Sequence, residues 1–135
     1  MEKIIWNDSF SVGVAKLDGQ HKRITEIINL LMDEPKDGFD SRTVEQILNQ
    51  LTEYVHNHFE TEEKILADLG FPDLHLQHEE HKEFRLELAD LCMQAIHGYA
   101  SIPANLNLYL REWWVDHILV KDMQYRPFLA SRGLR

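Results

Sequence analysis

SRTVEQILNQLTEYVHNHFETEEKILADL, from Ser41 to Leu69, spaces Val44, Leu48, Leu51, Val55, His58, Glu62, Ile65 and Leu69 three or four residues apart. That is the spacing of one helical face, and a run of this length predicts a long amphipathic helix. Ser41 can cap its start, and Gly70-Phe71-Pro72 ends it. The stripe is apolar except at His58 and Glu62, and those two residues govern how the rest of the chain is read.

Outward from this helix the same period recurs. Downstream, Leu74, Gln77, His81, Phe84, Leu88, Leu91 and Ala95 share a face, with Asp73 placed to cap, predicting a helix over 74–97. After a break from Gly98 to Pro103, with Ser101 as cap and Pro103 in the first turn, Leu106, Leu110, Trp113, His117 and Val120 line up. This predicts a helix over 103–121 followed by a short tail. Upstream of the break at Asp33 to Gly38, Leu17, His21, Ile24, Ile28 and Leu31 mark a helix over 19–32 capped by Asp18. Short connections favour antiparallel neighbours, so the expected fold is all-α, an antiparallel up-down-up-down four-helix bundle. Ile4, Ile5, Trp6, Phe10 and Val12 supply residues 1–16 with enough apolar surface to lie on the bundle as an N-terminal arm. The whole of 1–135 reads as one domain, with no strand alternation, repeat or low-complexity tract.

Composition narrows the function. With 14 Lys and Arg against 23 Asp and Glu, the net charge of -9 repels polyanions, so nucleic acid is excluded as a partner. No apolar run approaches the ~18 residues that span a bilayer, so no membrane partner is expected. The one cysteine, Cys92, cannot form an internal disulfide and reads as an ordinary helical residue; a reducing, cytoplasmic setting is the expectation.

Core-facing stripes ordinarily hold Leu, Ile, Val, Phe and Ala, yet here all four contain polar residues: His21, then His58 and Glu62, then Gln77 and His81, then His117. A single core histidine is ordinarily satisfied by a backbone carbonyl. Several of them beside a carboxylate on facing stripes are satisfied together by metal, because buried and unpaired they would destabilise the fold by several kcal/mol. His58 and Glu62 stand four apart, as do Gln77 and His81, so each pair projects from one face. Asp122, five beyond His117, suits a carboxylate reaching back from the fraying end of the fourth helix. Nitrogen and oxygen ligands without thiolate fit iron, manganese or zinc, and bridging carboxylates point to two ions. His56, His75 and His97 fall off the stripes and are expected at the surface. His78, one residue from Gln77 and three from His81, stays open between surface and site.

Taken together, Trp6, Val12-Gly13-Val14, Asp18-Gly19-Gln20-His21-Lys22, His58-Phe59-Glu60-Thr61-Glu62-Glu63, Phe71-Pro72, His81 through Phe84 and Trp113 to Asp122 resemble the hemerythrin family, in particular its single-domain bacterial members. The resemblance covers nearly the whole chain. It implies two iron ions (Fe2+/Fe3+) bridged by Glu62, Asp122 and an oxo or hydroxo group, with His21 and His58 on one iron and His81 and His117 on the other. It further implies a partner in dioxygen or another small diatomic ligand, bound at the five-coordinate iron for carriage, storage or sensing. The ligand pocket would be Ile24, Phe59, Trp113, Trp114 and Ile118, where Trp114 either fills the core or narrows the entry route.

The sequence departs from the family at position 77, where a histidine is replaced by Gln77. Gln77 can ligate iron weakly through its amide oxygen, a neutral and poorer ligand than imidazole, and where it does not bind a second coordination position is open. The alternative functions are therefore a di-iron oxidase, a peroxidase or a nitric oxide scavenger, and beyond those the buffering of iron or zinc.

Overall fold

The computed structural model describes residues 3–33, 41–96 and 104–135. Four long helical segments form the bundle: α1 (Ala15–Met32), α2 (Ser41–Leu69), α3 (Leu74–Ile96), and α4 (Ala104–Asp116) prolonged by a π turn at His117–Lys121. A 3-10 turn (Asp122–Gln124) and a short α5 (Arg126–Ser131) follow, and there is no strand among the described residues. Only residues 70–73 separate α2 from α3, which returns α3 antiparallel along α2. Gly70 allows this by taking φ 77°, while the Phe71 N–H donates to the Leu66 carbonyl (2.9 Å) and the Gly70 N–H to the Ala67 carbonyl (3.1 Å). These bonds satisfy carbonyls that the end of the helix would otherwise orphan. α2 packs against α1 and α3, and α1 against α4. No helix among the described residues is long and apolar enough to cross a membrane.

The stripes face inward. Leu17, Ile24, Ile28, Leu31, Val44, Leu48, Leu51, Val55, Phe84, Leu88, Leu91 and Leu110 are buried, whereas Ile65, Leu69 and Leu74 are only half-buried. Leu66 takes the core position in place of Ile65. His97, Ser101 and Pro103 lie outside the described residues.

Three local expectations are corrected. α1 begins at Ala15, four residues early, and Asp18 is in its first turn, not at its cap. The Asp18 carboxylate instead accepts from Ser11 Oγ (2.6 Å) and the Val12 N–H (2.9 Å), which folds the arm onto the helix start. The arm is also held by Asn29, whose side chain accepts from the Ile4 N–H (2.7 Å) and donates to the Ile4 carbonyl (2.8 Å). Ile4, Phe10 and Val12 are buried there, but Ile5, pointing the other way, is 81% exposed. Val120 is likewise exposed, because the π turn shifts the register after His117 so that Ile118 and Asp122 face inward. The expected tail contains α5, and Tyr125 just before it and Leu129 within it are buried against Val12, Val14, Leu17, Leu66 and Phe71 at one end of the bundle.

Candidate metal centre

α1 supplies His21, α2 His58 and Glu62, α3 His81, the π turn His117, and the residue after it Asp122; none is more than 1% exposed. The last pair depends on the π turn. In a regular α-helix each residue turns ~100°, so five residues leave Asp122 about 140° away from His117. The wider turn takes up the extra residue and sets both side chains on one side, with His117 Nε2 3.0 Å from Asp122 Oδ1. The carboxylate is held by this turn and by the 3-10 turn after it, not by a fraying end.

The ligand-capable atoms form two groups sharing one carboxylate, His21, His58 and Glu62 in one, Glu62, His81, His117 and Asp122 in the other. Glu62 Oε2 lies 3.1 Å from His58 Nε2, and Glu62 Oε1 3.1 Å from His81 Nε2. Asp122 also spans the groups, with Oδ2 3.2 Å from His21 Nε2. These separations are short, yet Glu62 Oε1, both Asp122 oxygens and His58 Nε2 make no hydrogen bond of acceptable direction. His81 Nε2 and His117 Nε2 face each other at 3.2 Å. Two nitrogens at right angles on one ion, each about 2.1 Å from it, lie ~3.0 Å apart. Orphaned, converging, fully buried donor atoms are what a pair of shared cations would satisfy, so the residues fit such a centre.

Further residues fix the imidazoles. His58 Nδ1–H donates to Gln20 Oε1 (2.7 Å) and His81 Nδ1–H to Glu63 Oε2 (3.2 Å), which turns each Nε2 toward the centre. The Tyr125 hydroxyl donates to Glu62 Oε2 (2.9 Å). Phe59 stacks flat on His81 (ring centroids 3.7 Å) and Trp113, half-buried, on His117 (4.6 Å). Trp114 meets His21 and His58 edge-on, and its Nε1–H donates to Thr25 Oγ1 (2.9 Å), whose own hydroxyl donates to the His21 carbonyl. Ile24, Phe59, Trp114 and Ile118 are all buried beside these rings. Sequence reasoning missed Gln20, Thr25, Glu63 and Tyr125. Gln20 and Glu63 adjoin His21 and Glu62, a usable signal; Tyr125 had none, because it lies beyond the unforeseen π turn.

The structure does not bring His78 to the centre. It is exposed and pairs with Glu63 Oε1 (2.5 Å), while His56 and His75 are also exposed. Gln77 is buried, its Nε2 donating to the Lys121 carbonyl (3.0 Å) and its Oε1 left without a partner.

Burial opposes charge on every group here, and the pairings decide which keep it. For His21 the Asp122 and Glu62 contacts outweigh burial and raise the imidazole from 6.5 to about 9. Against the same opposition, Glu62 and Glu63 raise His81 to about 9. Burial and the neighbouring His21 hold His58 below its usual value. Glu62 and Asp122 resist burial through their histidine contacts and stay below the usual carboxylate range. Without metal, the imidazolium ions of His21 and His81 thus lie against the carboxylates of Glu62, Asp122 and Glu63. Since His21 and His81 hold protons more tightly folded than unfolded, the stability they give is complete below pH 6.5 and is lost as pH rises through about 9. Chelator-stripped protein is therefore expected to show a falling denaturant midpoint from pH 6.5 to 9, and a flat profile there contradicts the charge balance.

A helical bundle whose dry core presents histidines and shared carboxylates from four segments defines a protein that binds metal cations between its helices. The chain belongs to the hemerythrin family: residues 12–129 match the family described as Hemerythrin HHE cation binding domain. It is 32% identical to the bacteriohemerythrin of Methylococcus capsulatus, over 90% of this chain and 92% of that protein. It is 28% identical to the bacteriohemerythrin of Pseudomonas paraeruginosa, over 93% of this chain and 80% of that one. Among solved structures, wild-type hemerythrin superposes with a TM-score of 0.82 at 28% identity, covering 93% of this chain and 97% of the other.

Proposed function

We propose that this protein holds two irons between His21, His58, Glu62, His81, His117 and Asp122, bridged by both carboxylates and an oxo or hydroxo group, and binds dioxygen reversibly. The observation that carries this reading is the sharing of Glu62 by two groups of buried, converging donor atoms. Two ferrous ions bound there supply two electrons and an open coordination position for a diatomic ligand. Trp114 lies edge-on to His21 and His58 while Phe59 and half-buried Trp113 stack on His81 and His117, and with buried Ile24 and Ile118 they form an apolar shell that excludes water. Trp114, anchored on Thr25, is core filling whose fixed edge also narrows the approach to these rings. The single cysteine suits a reducing cytoplasm.

Mixing the anaerobic ferrous protein with dioxygen should give uptake of one molecule per chain, released on purging with argon. Zinc at full occupancy in protein purified with its native metal, or no uptake by the ferrous form, would contradict the reading. A second reading, turnover as an oxidase, peroxidase or nitric oxide scavenger, is favoured by the neutral Gln77 amide beside His81. Net consumption of oxidant beyond one equivalent per chain distinguishes it. Glu63→Gln should lower iron affinity about 10- to 100-fold by loosening His81 Nδ1, as measured by competition with a chelator.

A further inference from the structure

Gln77 also forms the floor of a cleft of about 180 Å³ between α3 and the turns that follow α4. Asp73, Glu79 and Glu80 line it from the α3 side, Lys121 and Gln124 from the other. Lys121 is the one cation in this lining and is paired with Glu80 (3.6 Å), so the cleft carries three carboxylates against one ammonium. Such a concave, net negative surface concentrates cations and repels anions. The cleft and the metal centre are neighbours along the chain: Gln77 is one helical turn from His81, and Lys121 adjoins Asp122. There the Gln77 amide is 4% exposed, its nitrogen tied to the Lys121 carbonyl while its oxygen has no partner. A buried amide oxygen without a donor is a hard, neutral ligand atom, suited to a divalent cation in passage and too weak to hold one.

We propose that this cleft is the port through which divalent iron enters and leaves the centre, with the Gln77 amide as its inner gate and transient ligand. The inference rests on the two-iron reading above. A ferrous ion gathered by Glu79 and Glu80 meets the Gln77 oxygen, and rotation of the amide away from the Lys121 carbonyl opens the way to His81. An imidazole at this position would be a stronger ligand and would close the port, so the substitution trades firm retention of metal for exchange.

The test follows anaerobic loading of the metal-free chain with ferrous ion, and loss of that ion to a chromogenic chelator, by stopped flow. Glu79→Gln combined with Glu80→Gln should slow loading about tenfold at low ionic strength, with the difference vanishing in high salt. Gln77→His should slow loss to the chelator by about tenfold or more with the two-ion stoichiometry kept. Natural rates of loading in the first variant and of loss in the second, with two ions still bound, overturn the port and leave the two-iron reading standing. Failure of the natural chain to bind ferrous ion at all overturns both.

Discussion

Glu62→Ala is expected to empty the centre completely, taking iron content after desalting from two per chain to none. The reason is that Glu62 is common to both groups of donor atoms, within 3.1 Å of His58 Nε2 on one side and of His81 Nε2 on the other. Its loss removes one of the two carboxylates that offset the cations, and Asp122 alone cannot hold two. The metal-free fold also suffers. His21 and His81 lose the carboxylate that helps raise both of them, so their charge is no longer offset against burial, and the buried Tyr125 hydroxyl loses its acceptor. Breaking a buried charge network by removing one partner typically costs about 3–5 kcal/mol. Glu62→Gln separates the two effects, because it keeps an acceptor for Tyr125 while abolishing the charge. Retention of one iron per chain by Glu62→Ala, measured by metal analysis, would show that the two groups act independently.

Trp114→Ala should cause the largest loss of stability without touching a ligand. The indole is fully buried, lies between the rings of His21, His58, Phe84 and His117, and donates its only hydrogen bond to Thr25. Truncating such a residue costs about 3–5 kcal/mol through lost contacts and the remaining cavity. Set against a typical total of about 5–15 kcal/mol, that lowers Tm by roughly 10–20 °C. Iron should restore part of the loss, since binding to the folded state alone adds stability by mass action. The difference in midpoint between natural chain and variant, with and without iron, checks both statements; a loss under about 1 kcal/mol would mean that the core closes around the gap.

Much of this architecture was legible because core stripes containing His21, His58, Glu62, His81 and His117 break the one rule that apolar periodicity enforces most strongly. Where the period stayed at 3.6, position implied burial for all five polar residues, which are in the core, although Ile65, Leu69 and Leu74 at the helix ends are only half-buried. Reading failed where the period changed. The π turn at His117–Lys121 turned Val120 outward and brought the expected Asp122 inward by a route other than a fraying end, and nothing in its sequence, HILVK, distinguishes it from ordinary helix. That turn also redirected the chain into α5, so Tyr125, the donor to Glu62, was hidden from any argument by spacing. Asp18 illustrates a different limit. An acidic residue near a helix start satisfies a capping rule equally well by binding its own helix or an arm, and here the arm took both oxygens.

Sharing of one set of buried donors by two cations is tested by a calorimetric titration of ferrous ion into the metal-free chain under argon. It predicts saturation at two ions per chain. At pH 7 loading should also release protons, those of His21 and His81 and one more from the water that becomes a hydroxo bridge, seen as a dependence of the heat on buffer ionisation. Saturation at a single ion, or binding without proton release, would contradict it.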